Sequence, residues 1–516
     1  MRVKHGLSVG SMAMLVGTML IPGIASAASS IHPAIHSQIH RGGTLNVGID
    51  QPFVTLDPAL SAALIDRQAL INIFDPLLKL SPRMAVQPNL VTHWTIANGG
   101  RTYDLYLRKG VKFQDGTAFN AQAVVYNWRW DMNPKNASPR ASSLALVTSL
   151  ATPNPYEVVV HLKSPFSPFL ALLAGRLGMI SSPTAMKKEG SSYQDHPVGA
   201  GPFSVVSWNP QGNLVLKKNP YYWQKGKPYL SRVVYTPILE PTQEYDALLS
   251  GQEDLIDSVP YQDVSSMRSQ PNIRSKFMNG LGTSYVVLNV KQGPLKNVHN
   301  REAINFAINR SALVHVAYFG HTVPAYSTIA PSSWAYNPKL KIPYSIADAK
   351  HQLKLAGNPH GFSLTVQVAN NNFDEQIGQA IATELAKVGI STKVEPLDPT
   401  TLGSNAVSGN FQASMLGWSG RPDPDQDTYI LFTPKGGINY SGYSNPTVNR
   451  LLLQARETDS QPTRKRLYNA ATKILLNQAP YIFLAYTPVI QAWSTKVQGY
   501  IEYPDDLMRL TNVWLR

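Results

Sequence analysis

No cysteine occurs anywhere in the 516 residues, and this absence limits the fold more than any single motif does. The chain opens with Arg2 and Lys4, runs through an apolar stretch from Leu7 to Ile24 and reaches Ala25-Ser26-Ala27. That order of basic start, apolar middle and small-residue end is the pattern of an export signal (residues 1–27), with the mature chain starting at Ala28. Exported proteins often rely on disulfides, but here no crosslink, thiolate metal site or lipidated cysteine can form. Stability must come from ordinary apolar cores, and the roughly 490 residues left after cleavage suffice for two or three domains. No later stretch approaches the roughly 20 uninterrupted apolar residues of a spanning helix. An exported, soluble chain is expected.

The formal charge is +14, which favours anionic partners. No dense Lys/Arg run, recognition-helix pattern or phosphate-cradling glycine loop accompanies it, which argues against nucleic acid. His32, His36 and His40 recur every four residues and would chelate a metal weakly on a helix, but Pro33 and the terminal position argue against one. Neither a metal nor a cofactor is expected.

Strands and helices mix without a regular βαβ alternation or a fixed-period repeat, giving an α/β chain of several domains. Strands are expected at Thr44 to Ile49, Tyr103 to Arg108, Val158 to Leu162, Ser204 to Trp208, Leu214 to Lys217, Tyr285 to Val290, Ser391 to Glu395 and Tyr481 to Tyr486. Helices are expected at Ala62 to Phe74, Ala121 to Trp130, Phe166 to Leu173, Arg301 to Phe319, Asp374 to Val388, Asn445 to Ala455 and Pro462 to Gln478.

The segment Gly417 to Asp427, Gly-Trp-Ser-Gly-Arg-Pro-Asp-Pro-Asp-Gln-Asp, follows a short apolar run and reads as a rigid, charged loop. Loops of this kind hold an aromatic face and charges towards a ligand without refolding; an acidic surface turn is the plainer reading.

Six segments, in order, resemble the extracytoplasmic solute-binding proteins of peptide and nickel ABC transporters. They are Gly42-Gly43-Thr44-Leu45 with Leu56-Asp57-Pro58, the stretch Thr102 to Val124, the run Pro197 to Phe203, Asn219-Pro220-Tyr221-Tyr222-Trp223, Val298 to Leu313, and Asn439 to Pro446. The resemblance implies a two-lobed periplasmic-binding-protein fold of type II, cluster C-like, with an extra domain inserted in the first lobe. It further implies a spacer at 28–41, a first lobe of 42–80, 198–288 and 487–516, an inserted domain of 81–197 and a second lobe of 289–486. The strand from Tyr285 would be a hinge crossing.

In peptide-binding members of that family the loop after Gly-Trp carries an aspartate that pairs with the ligand's free amine. Arg421 stands there on an ungapped reading, and a guanidinium pairs with carboxylate or phosphate instead. Asp423 or Asp425 would supply the amine anchor if the loop were shifted by two residues. Trp418, with Ser419 and Gly420 beside it, lines the cleft or sits in a domain core. Tyr285 and Asn289 resemble family positions near the ligand, and Arg140 and Ser142 are candidates for the inserted domain's edge of the cleft; core and surface roles remain the alternatives for these four.

No nucleophile with its base is apparent. The Gly6 to Gly10 match to a nucleophile elbow lies in the export signal, and Asp423, Asp425 and Asp427 form no defined glycosidase pair. A secreted hydrolase is therefore the weakest alternative. The resemblance implies a monomeric, periplasmic receptor without a lipid anchor, or alternatively one secreted from the cell. It would close over a small peptide or peptide-like solute, or over an opine-like conjugate or saccharide, and deliver it to permease subunits. N-terminal sequencing of the exported protein is expected to begin at or within a few residues of Ala28; an intact Met1 on the mature protein would remove the export reading.

Overall fold

A computed structural model describes residues Ile39–Arg516. The export signal, His32, His36 and most of the 28–41 spacer lie outside the described residues. His40 tilts against the Trp514 ring at 5.7 Å.

Two long antiparallel strands, Ile273–Leu288 and Tyr481–Ser494, run through the middle of a ten-stranded sheet. On one side lie Ala413–Trp418, Ser363–Ala369 and Ser391–Leu397. On the other lie Leu255–Ile256, Thr44–Ile49, Arg232–Pro237, Leu214–Lys218 and Phe203–Trp208. Thr44–Ile49 pairs in parallel with both Arg232–Pro237 and Leu255–Ile256. A separate four-stranded sheet, ordered Val91–Ala97, Thr102–Leu107, Glu157–Leu162 and Val147–Asn154, packs with helix Ala121–Met132 around Tyr103, Phe113, Trp128 and Phe169.

Side chains alternate across a strand, so the long pair feeds several cores. At one end Tyr285, Val287, Tyr481 and Phe483 enter one core, while Val286, Leu288, Ile482 and Leu484 enter another on the opposite face. At the other end Ile490 and Ala492 join a cluster with Tyr245 and Val259, and Trp493 joins Leu45, Val47 and Leu70.

The expectation of short strands at Tyr285 and Tyr481 is corrected: both belong to strands more than twice as long. Gly280, Gly282 and Pro488 hid the continuation, since glycine and proline argue against a central strand. The ladder accommodates them by slipping register between Asn279 and Gly282, opposite Thr487 and Pro488. A Cβ on Gly280 would lie 2.5 Å from the Thr487 carbonyl oxygen, so close backbone approach demands glycine there.

Two helices are shorter than their patterns and a third is divided. The expected Ala62 to Phe74 helix is Asp66–Ile73, because Asp66 accepts the Val54 and Thr55 amides at 2.8 and 3.2 Å and the Ser61 hydroxyl at 2.8 Å. Those bonds hold the preceding turn out of the helix. Phe166 to Leu173 reduces to Phe169–Leu172. Arg301 to Phe319 divides into Val298–Ala307 and Arg310–Ala317: Asn309 caps the second helix through the Ala312 amide, and the buried Arg310 guanidinium takes the Asn305 and Ile308 carbonyls.

Replacing Gly280 with valine is expected to cost about 1–3 kcal/mol through overpacking. Gly403→Ala, in a helix where an added Cβ meets nothing within 4 Å, is expected to be neutral or to stabilise by up to about 1 kcal/mol. Denaturant midpoints distinguish the two.

Candidate functional site

The charged segment after Gly417 is part strand, part loop and part helix. Strand Ala413–Trp418 ends at Trp418, opposite Thr283 of the long strand, and helix Asp425–Phe432 begins after Pro424. Only Ser419 to Pro424 is loop. Asp425 and Asp427 lie in a first helical turn, where the helix dipole favours carboxylates. Gly420 has φ +68°, and a Cβ on it would come within 2.1 Å of the Leu281 carbonyl oxygen. The loop is therefore pressed onto the strand just where the long ladder slips.

Trp418 donates its indole N–H to the buried Asp427 carboxylate at 2.8 Å. The Arg421 guanidinium stacks over the Trp418 ring, 4.4 Å from its centroid, and donates to Ser419 Oγ and the Gly420 carbonyl at 2.7 and 2.6 Å. Among the described residues no carboxylate forms an ion pair with Arg421 within 4.0 Å. Burial, and then the charge of Arg67, push Arg421 down to about 9, with Asp427 opposing.

The alternative anchors in this loop are corrected. Asp423 receives both Arg464 terminal nitrogens, at 2.8 and 2.6 Å, with both side chains buried. Asp425 pairs with Arg456 at 3.1 Å, and that guanidinium sits 3.8 Å over Tyr429; burial pushes Asp425 up to about 7 against the pull of Arg456. Both carboxylates hold the loop to the helices Pro446–Glu457 and Gln461–Gln478 through ion pairs; both oxygens of Asp423 are bonded, whereas Asp425 Oδ1 lies buried beside Arg456 without a hydrogen bond.

Tyr285 is also corrected: it is 3% exposed and packs on Tyr481 at 4.6 Å, inside a core. Asn289 is buried, and its amide donates to the Gly409 and Phe411 carbonyls at 3.1 and 3.2 Å while its oxygen accepts the Lys291 amide. It clamps a turn and is buried, with both amide hydrogens engaged. Ser142 is exposed and bonds to the Pro139 carbonyl at 3.3 Å.

Arg140 belongs to a group that sequence reasoning found only in part. Its guanidinium reaches the Ser61 carbonyl at 3.2 Å, and Arg176 reaches the Ala62 and Ala63 carbonyls at 3.3 and 2.7 Å. Both therefore hold the turn leading into helix Asp66–Ile73, on which Arg67 stands. Arg67, Arg140 and Arg421 all act on Arg176: burial and then those three charges push it down to about 7. A guanidinium keeps its proton under ordinary conditions, so this pressure is a standing electrostatic cost of the cluster and not a titration.

Nearby acids offset it in part. Asp505 lies 3.9 Å from Arg67 but is held bidentately by Arg509 at 2.9 and 2.7 Å. Asp131 acts on Arg140 while accepting Ser138 at 2.6 Å. Arg67 Nη1, Arg140 Nε and Arg176 Nε remain buried without any hydrogen-bond partner. Unspent donors on clustered guanidinium groups are suited to a carboxylate or phosphate, which would repay their desolvation. Arg67 and Arg176 were missed because each is a single basic residue in an apolar or glycine-rich stretch. The available signal was the run Asp66-Arg67-Gln68, polar residues at the start of a helix.

Comparison with known proteins gives the family and the fold. The model of the bacterial extracellular solute-binding proteins, family 5 (Middle), matches residues 85–440. The chain is 31% identical over 508 residues to the glutathione-binding protein GsiB of Escherichia coli K12, covering 96% of each. Its fold is similar to that of DppA from Helicobacter pylori in complex with the peptide STSA (TM-score 0.83, 28% identity, 92% of this chain and 98% of the other). It is also similar to HbpA2 from Haemophilus parasuis (TM-score 0.78, 26% identity, 92% and 100%). The architecture is the two-lobed periplasmic-binding-protein fold.

Asp423→Asn is expected to destabilise the protein by about 3–5 kcal/mol, because Arg464 is left buried and unpaired. Ser142→Ala, at an exposed position, is expected to stay within about 0.5 kcal/mol of wild type. Thermal and denaturant unfolding check both.

Proposed function

The chain belongs to the bacterial extracellular solute-binding proteins of family 5, and we propose that it is the solute-binding component of an ABC importer for a small, anionic, peptide-like solute. The single observation that carries the anionic part is the cluster of Arg67, Arg140, Arg176 and Arg421, with three buried donor nitrogens unspent. The peptide-like part is supported by the relatives, one named for binding glutathione and one solved with a peptide. A tripeptide with two carboxylates, as glutathione has, matches what the cluster lacks. Of the non-peptide alternatives, an acidic opine-like conjugate would serve the same arginines, whereas a neutral saccharide would leave their charge unmet.

The proposed division of the chain is a first lobe of residues 42–80, 198–288 and 487–516, an inserted domain of 81–197 and a second lobe of 289–486. It is supported by the order of the large sheet, in which the strands of the two lobes lie on opposite sides of the long pair. Arg67, Arg140 and Arg176 then belong to the first lobe and its insertion, and Arg421 to the second. A solute touching both sets favours the closed state, because only that state offers all four. Solute capture without turnover, a monomeric state, delivery to permease subunits and a periplasmic location complete the proposal. Among the described residues no helix is long and apolar enough to cross a membrane.

With glutathione and its glycine-amide as probes, Arg421→Ala is expected to weaken glutathione binding by about 2–5 kcal/mol, chiefly by leaving a ligand carboxylate buried and unpaired. Arg421→Lys is expected to recover only part of that, since a point charge lacks the fork. Calorimetric titration decides: Arg421→Ala binding within about 0.5 kcal/mol of wild type, the scale of an ordinary surface change, would remove Arg421 from the site.

A further inference from the structure

A second polar region, lined by acidic residues, adjoins helix Asp66–Ile73 at Gln68. Strands Thr44–Ile49 and Leu255–Ile256 run parallel and end side by side, which puts the next residues, Asp50 and Asp257, at their carboxyl ends. In open α/β sheets that is the edge where ligands bind. The Asp50 amide donates to the Asp257 carboxylate at 3.0 Å. Asp506 joins them: Gln68 and Gln491 donate to its carbonyl at 2.7 and 2.9 Å, and Gln491 also donates to its carboxylate Oδ1 at 2.9 Å, leaving Oδ2 for a further donor.

These three carboxylates line a cavity of about 510 Å³ that is also walled by Phe373, from the helix Asn372–Ala386. No Lys, Arg or His among the described residues lines it. Directly behind Asp257 stands Glu244, fully buried: one oxygen accepts the Asp257 amide at 3.1 Å and the other, Oε2, has no partner. Burial raises the pKa of Asp50, Asp257, Asp506 and Glu244, Glu244 to about 8, and the charges of Asp50 and Glu244 raise Asp257 further. Among the described residues no acidic or histidine group is arranged to hold a metal ion. An ammonium, with three separate donors for separate acceptors, suits such spread carboxylates better.

The two regions meet on one helix. Arg67 acts on the arginine cluster, and its chain neighbour Gln68 lines the acidic cavity. Arg67 and Asp506 also act on each other by charge, which links the two regions. We propose that the cavity at Asp50, Asp257 and Asp506 receives the solute's primary ammonium while its carboxylates lie at the arginines. This rests on the proposed solute class, and it puts the amine away from the loop that follows Gly417.

The test uses the full mature chain and calorimetric titration with a defined set of dipeptides and tripeptides, glutathione included, each also in N-acetylated and C-amidated form. Acetylation is expected to weaken wild-type binding about tenfold or more, as loss of a buried charge contact does. In Asp50→Asn and Asp506→Asn the same acetylation is expected to cost less than about threefold. Both substitutions remove like-charge repulsion, and asparagine accepts the left-handed backbone of Asp506 (φ 63°), so both variants are expected to fold, with melting temperatures at or above wild type. An acetylation penalty that is absent in wild type, or undiminished in both variants, overturns the proposal, as does failure of every peptide in the set to bind. If the acetylation pattern holds but C-amidation costs nothing, the ammonium site stands and the arginine reading falls.

Discussion

The pairing of Ile273–Leu288 with Tyr481–Ser494 is the interaction on which the rest of the structure depends. Its alternating side chains supply cores on both faces and at both ends, so neither half of the large sheet is complete without it. Its register slip at Asn279–Gly282 is also the surface against which Gly420 is pressed. Arg421 is therefore carried by the crossing itself, whereas Arg67, Arg140 and Arg176 depend on the turn at Ser61–Ala63. In the proposed two-lobe division the slip is the place where a hinge would alter the separation of these two sets of charges.

Buried charge in this protein falls into two kinds. Asp423 with Arg464 and Asp505 with Arg509 are matched bidentately, and Asp425 is paired with Arg456 by charge; their work is to hold loops and helices in register. The four arginines of the cluster, and the four carboxylates around Asp257, are poorly matched and lie among their own sign. Leaving such groups unpaired costs stability, a cost commonly concentrated at functional sites. The two sets are complementary in sign and meet at Arg67 and Asp506, which act on each other by charge; the proposed solute carries both charges.

Local pattern made much of the secondary structure legible. Thr44–Ile49 has the expected limits, and helices such as Asn372–Ala386 and Gln461–Gln478 lie within two residues of their expected ones. Failures came where a tertiary contact overrode pattern. Asp66 pulled a turn out of its helix, Asn309 and Arg310 divided another, and the long strands absorbed glycines and a proline because a partner ladder could slip around them.

By itself the sequence determined the family, the α/β class and the oddity of an arginine after Gly-Trp-Ser-Gly, because these reside in motifs and short-range periodicity. Which charges remain available was decided only by the tertiary structure. Asp423 and Arg421 are two residues apart in one loop, yet the first is consumed by Arg464, forty-one positions away, and the second faces arginines from three distant segments. Whether a charged side chain is a brace or a binding group depends on what lies opposite it after folding, and long-range pairing leaves no mark in local sequence.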